Sequence, residues 1–253
     1  MNNNSSKPSI CARGSLLAII LGCWCGCLSA QGLGSVDPAT LAMIIVSSKG
    51  DVQGIGELLR EGMNIETTDV IGNTPLIFAS RYGRNEEVRF LLDRGADVNA
   101  RSRTGGTPLR EAVNKMDTMT IRLLLDAGAA VDVRDEDGES AIFYAVRHGF
   151  LPGLELLLEH GADTNVKNNH GDTSLIYAVK QAVPPTANHW TQIIRELIAH
   201  GADPDIKNND NETALCIAGR LGKSEIATML KDKGVSENGC HAIAGDLIGV
   251  ATN

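Results

Sequence analysis

The chain has 253 residues, 43% hydrophobic, 21% charged and 4% aromatic, a balance that suits a globular chain of one or two domains and excludes collagen-like, coiled-coil and disordered ones. With 23 Lys and Arg against 31 Asp and Glu, the net charge of −8 works against binding bare nucleic-acid phosphate. Leu16 to Leu28 is the one apolar stretch of interest to a bilayer, and it is shorter than the roughly 20 residues a span needs, which excludes a polytopic membrane protein.

That stretch reads as the core of an export signal over residues 1–30. Lys7 and Arg13 precede it, and Leu28-Ser29-Ala30 supplies small residues for cleavage before Gln31. The alternative exported form is a lipoprotein, since Ile20-Leu21-Gly22-Cys23 resembles the bacterial lipobox with Cys23 as the acylated residue, although Leu21 departs from the small or β-branched residue usual there. Only the lipidated form would sit on a membrane. Cleavage removes two positive charges and no negative ones, leaving 21 against 31 and a mature charge of −10. Four of the six cysteines fall inside this segment; Cys216 and Cys240 remain, and in an oxidising compartment they are a candidate disulfide, with two free thiols as the alternative.

After a short linker at 31–36, the sequence repeats itself. Glycines follow apolar segments at Gly62, Gly95, Gly128, Gly161, Gly201 and Gly234, at intervals of 33, 33, 33, 40 and 33. Thr74-Pro75-Leu76, Thr107-Pro108-Leu109, Ser140-Ala141-Ile142, Thr173-Ser174-Leu175 and Thr213-Ala214-Leu215 keep the same intervals. The interval of 40 is 33 plus seven inserted residues, placed near 182–191. A 33-residue period with Thr-Pro-Leu at a helix start resembles the ankyrin repeat family over Asp37 to about Val235, although Ile77, Arg110, Phe143, Ile176 and Cys216 stand where that family carries His.

The resemblance implies an all-α repeat solenoid of stacked helix–turn–helix units with β-hairpin fingers. Local chemistry agrees with it. Gly72, Gly105, Gly138, Gly171 and Asn211 precede each helix by two residues, where a tight turn demands positive φ. Pro75 and Pro108 occupy a first helical turn, where a missing N–H costs little. Ala79, Ala112, Ala145, Ala178 and Ala218 let first helices approach closely, and paired large aliphatics such as Leu91-Leu92 fill the second helices. One such pair encloses no core, so stacking is obligatory. Six helix pairs are expected over 37–235, the outer two as caps, followed by a tail at 236–253.

Nothing here reads as an enzyme or as a cofactor or metal site: there is no Gly-rich phosphate loop, no His-x-x-x-His, and no Cys-x-x-Cys outside the signal. His160 and His200 sit at helix C-termini, where they complement the dipole. A binding module is what the resemblance implies, with the fingers and first helices forming a concave face. Equivalent positions are basic along that face: Arg101, Arg134, Lys167 and Lys207 lead into fingers, while Arg81, Arg147, Lys180 and Arg220 lie two past each first-helix Ala. On an acidic chain that is segregation, and it predicts a positive stripe facing a protein partner with an acidic surface; the alternative is a solvated, self-paired stripe, as Asp135, Glu136 and Asp137 beside Arg134 would give. Val70 and Ile71 at a fingertip, Tyr82 on the concave side and Trp190 beside Pro184-Pro185 are the apolar anchor candidates, with core burial of Val70 and Ile71 and a Trp190 tucked over its second helix as the alternatives. Taken together, these features point to a non-enzymatic binding protein of the Gram-negative periplasm that holds or protects one protein partner. An inhibitor of a toxin or enzyme in the same compartment, or a secreted host-directed effector, would use the same face.

Overall fold

The computed structural model describes residues 38–182 and 187–232. The signal segment with Cys23, the linker, Pro184-Pro185, Cys240 and the tail all lie outside the described residues. The described residues divide into two compact units, with the division between Ala129 and Ala130.

The first unit holds α1 (Pro38–Lys49), α2 (Val52–Arg60), α3 (Pro75–Tyr82), α4 (Asn85–Leu92), α5 (Pro108–Lys115) and α6 (Thr118–Asp126). The second holds α7 (Ala141–Arg147), α8 (Leu151–Glu159), α9 (Ser174–Gln181), α10 (Ala187–Ala199), α11 (Ala214–Arg220) and α12 (Ser224–Asp232). In each unit, first helices pack on first helices and second helices on second, giving two rows. The first-helix alanines 79, 112, 145, 178 and 218 are fully buried, so these helices approach as closely as backbones allow. Leu58, Leu91 and Leu124 in the first unit, and Leu157, Leu197 and Leu230 in the second, fill the second row, also at 0% exposure. A helix of eight or nine residues is marginal alone, so it is this burial that holds each one.

Helix starts follow the threonine marker. Thr74, Thr107, Thr173 and Thr213 each accept a hydrogen bond from the backbone N–H three residues on, satisfying one free donor of the first turn. Ser140 makes no such bond and its buried hydroxyl is unpartnered.

The fingers are turns; no strand occurs among the described residues. Each turn is closed by one side chain four residues before the end of the finger. Asp69 accepts from the N–H groups of Ile71 and Asn73, Asp135 from those of Asp137 and Glu139, and Asn168 from those of His170 and Asp172. Neighbouring fingers share single backbone bonds, Arg103 N–H to Ile71 O at 2.8 Å and Asn169 N–H to Asp137 O at 2.9 Å. A single bond replaces a ladder because the Asx turns use most of the donors themselves. At Gly171, φ is +74° and an added methyl would meet the backbone N of Asn209 at 2.6 Å, so only glycine fits; the equivalent position in the last repeat is Asn211 at φ 62°.

Candidate functional site

The basic residues of the first helices are tied into the fold. In the second unit, Arg147 bonds Glu139, Lys180 bonds both carboxyl oxygens of Asp172 at 2.7 and 2.8 Å, and Arg220 bonds Glu212 at 2.8 and 3.0 Å. In every case the acid stands eight residues upstream, just before the helix N-cap. Glu139 and Asp172 are 4% exposed, and Asn168 and Asn208 donate to them from the following finger at 3.3 and 3.1 Å. Burial works against the charge of Arg147, but its bonds to the Tyr177 hydroxyl and to Glu139 hold its pKa above the ordinary value.

The first unit builds a variant of this arrangement. Its upstream position is Asn73, whose carbonyl accepts from Arg81 at 3.3 Å, and Arg81 takes its carboxylate from the next repeat, Glu111, at 2.9 Å. Burial alone would raise the Glu111 pKa; the bonds from Arg81 and Arg110 outweigh it and hold the group below the ordinary value. At the next repeat Gly106 and Asn114 replace acid and base together.

These pairs favour the self-paired reading of the stripe over a free positive one. The cations at 81, 147, 180 and 220 recur because they neutralise carboxylates, three of which are buried, and the field they present is that of ion pairs. The finger cations are also engaged: Arg134 donates to Gly138 O at 3.0 Å and to Lys167 O, and Lys167 donates to Lys207 O at 2.8 Å. Arg101 and Lys207 are placed at the equivalent finger positions, Arg101 exposed and Lys207 half-buried.

The apolar anchors separate. Val70 and Ile71 are exposed at 61% and 46% at their fingertip, and Tyr82 at 46% on the last turn of α3. Trp190 is not an exposed anchor. It is 9% exposed and sits on α10, which runs 13 residues because part of the insertion continues the helix backwards. The physical reason is legible in hindsight: Trp190, Ile193, Ile194 and Leu197 keep one helical stripe and bury it together.

Two further residues escaped the sequence reading. Met116 and Met119 are exposed at 52% and 51%, and Met116 ends α5 in the left-handed region at φ 59°. Gly83, Gly149 and Gly222 hold the equivalent position in other repeats, so the methionine stands out once the repeats are aligned. A methyl on Gly83 would lie 3.7 Å from the Lys115 side chain, which sets the Tyr82–Gly83 corner beside the Lys115–Met116 corner.

A family model of three ankyrin repeats matches residues 16–102, 42–135 and 109–188, and a single ankyrin repeat matches 170–209, together well over half of the chain. The chain belongs to the ankyrin repeat family. It is similar to the crystal structure of EF0377, an ankyrin repeat protein, at a TM-score of 0.68 and 28% identity, over 75% of this chain and 96% of that one. Comparison with curated proteins gives no match. Ankyrin repeats are protein–protein interaction modules and generally non-catalytic scaffolds, which fits two units built from repeated polar ladders and exposed turns. No helix among the described residues of this ankyrin array is long and apolar enough to cross a membrane.

Proposed function

We propose that this ankyrin protein is exported to the periplasm and holds one protein partner there through its first unit. The observation that carries the reading is where the exposed large apolar side chains lie. Val70, Ile71, Tyr82, Met116 and Met119 belong to the first unit, and Leu221 is the one such residue among those described in the second. Large exposed aliphatics are what desolvated anchors are made from. Arg103, exposed and bonded through its N–H to Ile71 O, offers a cation beside the fingertip, so an apolar partner segment flanked by an acidic group matches it. Export is supported by Lys7, Arg13 and the apolar run before Ala30, and an oxidising compartment suits the disulfide-bonded state of Cys216. The test is capture from periplasmic extract with the mature chain as bait, alongside Val70→Asp with Ile71→Asp. A partner held by the wild type and lost from the variant supports the reading; equal recovery on both removes the first unit from it.

A further inference from the structure

We propose that the C-terminal tail is the array's own terminal cap, locked by a Cys216–Cys240 disulfide onto the stacking face of the last repeat. The face is defined by comparison with the interior. The apolar residues at this repeat position, Ile77, Phe143 and Ile176, are buried at no more than 1%, whereas Cys216, like the polar Arg110, is half-buried. Ser80, Val113, Val146 and Val179 are all fully buried, whereas Gly219 at that position is exposed and an added methyl would meet nothing within 4 Å among the described residues. Val88, Ile121, Leu154 and Ile194 are likewise fully buried, and Ala227 replaces them at intermediate exposure. In the earlier repeats these positions are closed to water; at the end they have become Cys, Gly and Ala, which leaves room for a chain to lie close.

The independent observation is that Cys216, in the middle of this face, is disulfide-bonded. Every other cysteine lies outside the described residues, and Cys240 is eight residues beyond the end of α12. Because α11 and α12 are joined by a short turn, they run antiparallel, and the end of α12 returns beside the start of α11 where Cys216 stands. Eight extended residues reach about 27 Å, about twice the ~14 Å length of α12, so Cys240 reaches Cys216 without strain. The chain after it, with Ile243, Leu247, Ile248 and Val250, then begins on the face and has apolar side chains to lay on it.

The bond forms by thiol–disulfide exchange with a disulfide oxidant. The thiolate of one cysteine attacks the oxidant's disulfide, the second thiolate displaces the oxidant from the mixed disulfide, and two electrons and two protons leave on the oxidant as a dithiol. The inference does not rest on the partner-binding reading.

The test uses the mature full-length chain, purified without reductant. Non-reducing peptide mapping is expected to find Cys216 joined to Cys240. Reduction, or Cys240→Ser, is expected to speed amide exchange in α11 and α12 by about tenfold or more while leaving α3–α6 unchanged. Gly219→Leu separates covering from tethering: the added side chain displaces a segment lying on the face and speeds exchange in α12, whereas an open face accepts it without change. A free Cys216 thiol or a different disulfide partner overturns the bridge. A 216–240 bridge whose reduction leaves exchange unaltered, or a neutral Gly219→Leu, overturns the cap.

Discussion

The two units are built from one repeat and differ in what they place on its surface. Residues 1–129 carry 13 Lys and Arg and 13 Asp and Glu, whereas residues 130–253 carry 10 and 18. The second unit repeats its acid–base pair eight residues apart in all three copies and buries Trp190. The first has one borrowed pair and one copy with neither member, and it exposes Val70, Ile71, Tyr82, Met116 and Met119. The acidic surplus of the second unit works against acidic groups settling on it. The near-neutral first unit keeps apolar side chains in water without a stability return. In this chain the repeated positions carry the structure, and the departures from them are where the large apolar side chains are exposed.

The largest expected effect probes a burial defect of the first unit. Glu87 on α4 is 1% exposed, and neither carboxyl oxygen has a partner within hydrogen-bond geometry among the described residues; burial pushes its pKa up to about 8, against smaller opposing contributions from the nearby Ser47 hydroxyl and Arg84. The unfolded chain releases this proton near pH 4.5 and the folded chain holds it to about 8. The wild type therefore loses stability as pH rises through that window, at roughly 1.4 kcal/mol per pH unit, and the loss levels off above it. Glu87→Gln is expected to flatten that slope, matching the wild type at pH 4.5 and exceeding it at pH 8 in chemical denaturation. Identical slopes for the two chains would contradict it.

Next in size is the fingertip. Val70→Asp with Ile71→Asp is expected to weaken a captured partner by about 100-fold with helix content unchanged, because the loss falls on buried interface anchors. Calorimetric titration reads it, and a change smaller than about fivefold would mean the fingertip is ordinary surface.

In the second unit the ladder answers in stability instead. Arg147→Met leaves Glu139 buried with Asn168 alone and is expected to cost about 1–3 kcal/mol; adding Glu139→Gln should recover part of that. If Arg147→Met is neutral, the pair is solvated decoration. The smallest effect is Met116→Gly, which removes a side chain from the left-handed region and is expected to stabilise by about 0.5 kcal/mol while weakening the partner.

The repeat phase, the helix starts and the left-handed turn at Asn211 were legible because each rests on local chemistry: a threonine cap, a proline in the first turn, a glycine-like φ. The ladder was not, because acid and base are eight residues apart across a helix start and only the folded turn brings them together. Glu139 with Arg147, Asp172 with Lys180 and Glu212 with Arg220 form a regular spacing that aligned repeats display, yet reading only the basic member turned a buried pair into a positive stripe. Trp190 resolves to the tucked alternative, at 9% exposure. The inserted prolines suggested a loop up to Thr191, whereas the helical stripe running back from Leu197 already extended the helix past it. Glu87 stands between Glu86 and Val88 with no local sequence feature that marks it as buried.

The most direct test is amide exchange across the mature chain with and without its captured partner. Slowed exchange at residues 69–73 and 82–119, with the fingers at 134–139, 167–172 and 207–212 unchanged, is what a first-unit interface predicts. Slowing confined to those three fingers and to α7, α9 and α11 would place the partner on the ion-pair ladder and contradict the account.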